Sequence, residues 1–169
     1  MLHPSSHIAL ICNIGAARLT AVAEDGEEER ALARRSAQSM YAEDRASQAL
    51  GIEITEVGPG RATATMRVTP DMVNGHAIAH GGYVFLLADT AFAFACNTYG
   101  EVTVARAADI AFLAPVHEGD LLVARAQERT RAGRNGICDV TVRRAEDPGA
   151  EVVAEFRGHS RAMGRPLPG

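Results

Sequence analysis

The sequence predicts an α+β chain in which an antiparallel sheet covers a single apolar helix. Three observations predict it. Six runs alternate apolar and polar residues with the two-residue period of a half-buried strand. Short turns rich in Gly and Pro join most of them. One stretch, Tyr83 to Cys96, is apolar at nearly every position, and it is long enough to cover the dry face that such a sheet must bury.

Taken in order, the first 28 or so residues lead into an acidic run, Glu24, Asp25, Glu27, Glu28 and Glu29, with no apolar partner face. They are expected to form a poorly ordered extension. Ile8 to Ala17 stands where a signal peptide would carry its apolar region, but no Lys or Arg precedes it. The folded domain is expected over 29–165, with 166–169 as a tail. From Ala31 to Leu50 charges interrupt the apolar positions Leu32, Met40, Ala46 and Leu50 at helical intervals, and Gly51 falls where a C-cap belongs. Ile52 and Ile54 open a strand, Gly58-Pro59-Gly60 turns the chain, and Ala62, Ala64, Met66 and Val68 alternate with Arg61, Thr63, Thr65 and Arg67. After a loop the apolar helix is expected over 82–99. Strands follow at Val102–Phe112, Leu121–Arg129, Gly136–Arg143 and Val152–Ser160, which gives the order α, β, β, α, β, β, β, β.

The formal charge of -4 offers no basic field for nucleic acid or an anionic membrane surface. Cys12, Cys96 and Cys138 are scattered, without metal-site spacing or an even count, as expected of a protein kept in a reducing cytoplasm. A membrane span is disfavoured because Asp89 sits near the middle of the apolar stretch, where lipid would make a carboxylate costly.

Between Val73 and Gly100 the only Asp, Glu, Lys or Arg is Asp89. Burying a carboxylate costs several kcal/mol unless it is paired, hydrogen-bonded or protonated, so its isolation calls for a function. The bland alternative is a wet seam in which Asp89 bonds to Thr90 or Asn97. Just upstream, His80-Gly81-Gly82 lets a ligand approach the amides at a helix N-terminus, where an oxygen gaining charge in acyl transfer would be stabilised. Eight residues separate Gly81 from Asp89, roughly 12 Å at 1.5 Å per residue. The two elements meet at one carbonyl only if they come from different subunits of a two-fold dimer.

The segments Asn74-Gly75-His76, His80-Gly81-Gly82 and Leu87-Ala88-Asp89-Thr90-Ala91-Phe92-Ala93 closely resemble the phenylacetic acid degradation thioesterase family. Leu50-Gly51-Ile52, Ala95-Cys96-Asn97, Phe112-Leu113, Gly119-Asp120 and Phe156-Arg157-Gly158 follow in the family's order, so the likeness covers about residues 38–165. It implies the hotdog fold, a curved antiparallel sheet wrapped around a long central helix. It also implies dimers, usually paired into tetramers, that hydrolyse aryl- or acyl-CoA thioesters without a metal or other cofactor. By resemblance Asp89 is the nucleophile or general base, Gly81 the N–H that polarises the carbonyl, and His80 a group that places the thioester. Asn74, Gly75, Gly82 and Thr90 complete the substrate site.

The chain departs from the family at three places. Glu43 stands where some members carry an amide. Ala114-Pro115 replaces a common Arg-Pro, which leaves coenzyme A to Arg131, Arg134, Arg157 or Arg161. The first 28 residues have no family counterpart. The small residues Ala88, Ala91, Ala93 and Ala95 suggest room for an aromatic acyl group beside the helix. Cys96 reads as a small buried hydrophobe, and Tyr83 and Asn97 as pocket or core. Other readings stay open: a dehydratase using His80 with Asp89, a non-catalytic acyl-CoA-binding module, or a metal held by His76 and His80, although no third ligand is evident.

Overall fold

The chain runs α1 (Ile8–Glu43), α2 (Arg45–Ala49), β1 (Glu53–Gly58), β2 (Arg61–Arg67), a 3-10 turn (Pro70–Met72), α3 (Gly81–Cys96), β3 (Glu101–Phe112), β4 (Leu121–Ala132), β5 (Asn135–Arg144) and β6 (Val152–Pro166). This computed structural model describes residues 8–145 and 149–168, with side chains from residue 26 onward. The strands form one six-stranded sheet, ordered β1-β2-β4-β5-β6-β3, with every neighbouring pair antiparallel. All six strands touch α3. Six strands spaced about 4.8 Å apart span roughly 24 Å, twice the width of a helix, so the sheet must curve around the helix to reach it with both edges. This is the hotdog arrangement that the resemblance implies.

Two expectations about the first helix change. The helix predicted over Ala31 to Leu50 is broken at Asp44, because the Asp44 carboxylate accepts the Ser47 N–H at 3.0 Å and the Ser47 hydroxyl at 2.6 Å. A side chain that bonds backbone two or three residues on starts a new helical turn and ends the old one. Gly51, with φ +64°, then turns the chain into β1. The predicted extension over 1–28 lies partly outside the described residues, and from Ile8 onward its backbone is the N-terminal part of α1. Glu27, Glu28 and Glu29 are exposed on that helix, and Glu27 pairs with Arg30 and Arg34 at 3.2 and 2.9 Å.

The two-residue period of β2 sends Ala62, Ala64, Met66 and Val68 into the core and leaves Arg61 and Arg67 in solvent. β4 and β6 reach further than expected, to Ala132 and Pro166. The β4–β5 ladder continues past a bulge at Glu128/Thr130 to the pair Ala132 and Asn135, closed by a two-residue loop that begins at Gly133 with φ +58°. β6 continues because β3 pairs with it as far as Glu101 opposite Pro166. The start of the predicted tail is tied in as well, since the Leu167 N–H donates to the Gly100 carbonyl at 3.0 Å.

The core lies between α3 and the sheet. Phe92 is buried, and its ring packs against Phe156 with centroids 5.7 Å apart. A Cβ on Gly158 would come within 2.5 Å of the Phe92 ring, so the absence of a side chain there lets α3 press onto β6. Ala88, Ala91 and Ala95 are fully buried against the sheet, contrary to the expectation that they leave space for a substrate ring. Their small size serves close helix–sheet approach, and only Ala93 of that set is half-buried. Asn97 resolves as a core element: its amide donates to the Ala93 and Thr103 carbonyls and its oxygen accepts the Thr103 N–H, which ends α3 and fixes the start of β3. β3 itself is an edge strand and is exposed on both faces from Val104 to Asp109.

Candidate active site

Asp89 sits at the ninth position of the 16-residue α3, half-buried. Its carboxylate has no hydrogen-bond or ion-pair partner among the described residues, and burial pushes its pKa up from the ordinary aspartate value. Neither side chain named by the bland alternative reaches it. The Thr90 hydroxyl is buried and shares a 3.2 Å hydrogen bond with Ser47, and Asn97 is spent on backbone groups. Because the Ser47 hydroxyl donates to Asp44, it accepts from Thr90, and the chain Thr90 to Ser47 to Asp44 is fully ordered. Thr90, expected at the substrate, therefore points into the seam between α2 and α3. Glu43, next to Asp44, is exposed at the end of α1 on that same side of the helix.

The start of α3 is shaped by the loop before it. His80 is the N-cap: its Nδ1 accepts the Gly82 N–H at 3.0 Å, and its carbonyl accepts the Tyr83 N–H at 2.9 Å. The Gly81 N–H has no acceptor among the described residues, so it is the donor left free at the positive end of the helix. Upstream, the Asn74 side-chain oxygen accepts the His76 N–H at 2.8 Å, and the His80 N–H donates to the Met72 carbonyl at 2.8 Å. These bonds hold the Asn74-Gly75 turn and deliver His80 to its cap position. A cavity of 390 Å³ opens there, lined in part by Met72, Asn74, His80, Gly82, Tyr83 and Leu86. A larger groove of 860 Å³ between α1 and β1 is lined by Arg34, Tyr41, Ile54 and Glu56 and includes neither Asp89 nor Gly81.

The structure thus brings together His80, Gly81, Gly82 and Asn74, and places Asp89 two turns further along the same helix, out of reach of that cluster within one chain. The four arginines lie elsewhere. Arg157 is held by Asp139 through two hydrogen bonds of 2.6 and 2.8 Å across β5 and β6, and this partner pulls the Asp139 pKa down. Arg131 stacks 3.9 Å from the centroid of Tyr99, and Arg134 donates to the Ala162 carbonyl at 2.8 Å. Arg161 is an exposed position of β6. Cys96 is buried at the end of α3, as expected of a small hydrophobe. Among the described residues no group of three or more His, Cys, Asp or Glu side chains could hold a metal, and no helix is long and apolar enough to cross a membrane.

Two features escaped the sequence reading. One is the Asp44–Ser47–Thr90 chain, whose Asp-x-x-Ser spacing is an N-cap signal visible in advance. The other is Phe112, whose ring lies against Gly81: a Cβ there would stand 3.0 Å from its Cζ. No spacing rule connects residues thirty-one apart.

Comparison with known proteins gives this arrangement its family. The sequence pattern of the thioesterase superfamily matches residues 76–151, which span the loop, α3 and the strands up to β5. Over 134 residues the chain is 43% identical to the acyl-coenzyme A thioesterase PaaI of Escherichia coli strain K12, covering 79% of this chain and 94% of that one. The chain belongs to the thioesterase superfamily. The structure of the E. coli PaaI protein from the phenylacetic acid degradation operon superposes on this thioesterase with a TM-score of 0.78 and 42% identity, covering 82% of this chain and 99% of that one. A variant of the phenylacetic acid degradation protein PaaI from Thermus thermophilus matches with a TM-score of 0.67 and 32% identity, over 71% of the thioesterase and 100% of that chain.

Proposed function

We propose that the protein hydrolyses acyl-coenzyme A thioesters to the free acid and coenzyme A, with aryl groups of the phenylacetyl type as the preferred acyl moiety, and that it does so as a homodimer. The observation that carries this reading is an unpartnered, half-buried Asp89 on the same helix as a free Gly81 N–H, roughly 12 Å away. Two copies of α3 laid antiparallel bring the Asp89 of one protomer to the Gly81 of its partner. The two-fold axis then passes near Phe85, and the exposed edge of β3 meets its own copy, which continues the ladder across the interface.

In that shared site the thioester carbonyl lies on the Gly81 N–H, and its oxygen gains charge at the positive end of α3, where a fixed donor stabilises it. Asp89 either activates a water or attacks the carbonyl carbon itself, forming an anhydride that water then opens. In both routes the carbon–sulfur bond breaks, the thiolate of coenzyme A takes up a proton, and the carboxylic acid is released. His80, with Nδ1 occupied by Gly82, offers Nε2 to the substrate. Asn74 and Gly82 line the cavity, Gly75 belongs to the turn beside it, and Glu43 keeps the substrate role that the resemblance implies. Thr90 positions α3 through Ser47. Arg131 and Arg134 lie beyond the C-terminal end of α3, which antiparallel packing carries past the partner's Gly81, in the direction that the nucleotide portion of coenzyme A would extend. Arg157 is assigned to the sheet instead. Pairing of dimers into tetramers in a reducing cytoplasm completes the proposal.

The test is release of free thiol from aryl-, short- and medium-chain acyl-CoAs by wild type and by Asp89→Asn. A fall of at least about a hundredfold in the variant, with assembly intact by sedimentation, supports the reading. An Asn variant with full activity refutes it. Hydration of an enoyl thioester without thiol release identifies a dehydratase, and binding without turnover a carrier.

A further inference from the structure

The ring of Phe112 occupies an unusual place for so large an apolar side chain. It is 54% exposed at the end of β3, and its neighbour Leu113 is 59% exposed. Yet the tip of the ring reaches Gly81, where a Cβ would stand 3.0, 3.3 and 3.4 Å from three of its carbons. The backbone beneath it is fixed, since Phe112 pairs with Ala154 in the β3–β6 ladder and the Leu113 N–H donates to the Val153 carbonyl at 2.9 Å. Ala114-Pro115 then ends the strand. The ring is therefore held over the first residue of α3, and the cavity lined by His80, Gly82, Tyr83 and Leu86 opens beside that residue.

We infer that Phe112 is a specificity-determining residue that forms an apolar wall for the acyl group beside Gly81; the inference rests on the thioesterase reading above. Phe112 brings apolar surface, with no polar group of its own, to the face of Gly81 where a side chain would stand. An acyl chain long enough to touch the ring gains from burying apolar surface against it. An acetyl group, bound to the same N–H, ends too soon to gain as much. Phe112 thus tilts the site toward large apolar acyl groups, and Gly81 must lack a side chain because the ring already fills that space.

The experiment compares kcat/KM for phenylacetyl-CoA with that for acetyl-CoA in wild type, Phe112→Ala and Phe112→Leu, with sedimentation on each. Phe112→Ala is expected to lower the phenylacetyl-to-acetyl ratio by about tenfold or more, with Phe112→Leu in between, the scale on which an apolar pocket discriminates by a few carbon groups. Equal changes for both substrates, or none, overturn the inference and leave Phe112 as packing for Gly81. If Phe112→Ala does not assemble, the ratio in Phe112→Leu decides by the same criterion. Wild type that hydrolyses neither thioester defeats the phenylacetyl reading on which the inference rests, an outcome distinct from an unchanged ratio.

Discussion

Mixing two inactive variants tests where the parts of the site come from. Asp89→Asn removes the carboxylate, and Gly81→Val drives a branched side chain against the Phe112 ring and distorts the turn that presents the free amide. Within one chain the two positions are eight residues, or roughly 12 Å, apart along α3. If each site takes Asp89 from one protomer and Gly81 from the other, a mixed dimer holds one site with both elements intact and one with neither. Random exchange makes half of all dimers mixed, and half of their sites are whole, so activity should return to about a quarter of the wild-type value. Each variant alone should stay at least about a hundredfold below wild type. The assay is thiol release after exchange, with the subunits carrying different tags so that mixed dimers are counted directly. Mixed dimers in the expected proportion, without recovery, would refute the shared site and with it the antiparallel pairing of α3.

Other predictions follow from the same geometry. Because burial raises the Asp89 pKa, the acid limb of the pH–rate profile should lie above the ordinary aspartate value of 3.8, measured as kcat/KM against pH. The folded state then holds the Asp89 proton more firmly than the unfolded chain does, so this group's favourable contribution is present below the unfolded pKa and disappears as pH rises through the folded one. Asp89→Asn should accordingly melt higher than wild type at neutral pH, a gap that narrows as pH falls through the raised Asp89 pKa. Gly158→Ala sets a Cβ 2.5 Å from the Phe92 ring and should cost about 1–3 kcal/mol in urea denaturation, with partial recovery when Phe92 is shortened to Leu. Ser47→Ala strips the buried Thr90 hydroxyl of its acceptor and should cost about 1–3 kcal/mol; adding Thr90→Val should restore part of it, and a double-mutant cycle measures the coupling.

The order of elements was legible because it depends on local periodicity. β2 buries Ala62, Ala64 and Met66 as its alternation predicts, with Thr65 buried as well, and the apolar stretch from Tyr83 to Cys96 lies in the helix that all six strands touch. The break at Asp44 was hidden inside a helical pattern, since a carboxylate bonding two groups of Ser47 competes with helix continuation without altering apolar spacing. Strand ends were set by pairing, as in β6, which is carried to Pro166 by a β3 register that no local rule supplies. At the site, the isolation of Asp89 and the Gly-Gly turn stood out because charge and backbone freedom are properties of single residues. Partners of other residues were not legible. Arg157 faces Asp139 only once the β5–β6 register is known, and Thr90 faces Ser47 only once α2 is folded against α3.

The two margins of the sheet are unlike. β1 is a six-residue strand, bulged between Ile54 and Glu56, with α1 packed against it, whereas β3 runs for twelve residues and, despite irregularities of its own, stays exposed from Val104 to Asp109. These features favour growth on the β3 side. In the proposed dimer a sheet lengthened once, by its own copy across a two-fold axis, reaches twelve strands and leaves only the short β1 margins at its ends, so the pairing that joins two copies would also stop short of fibres.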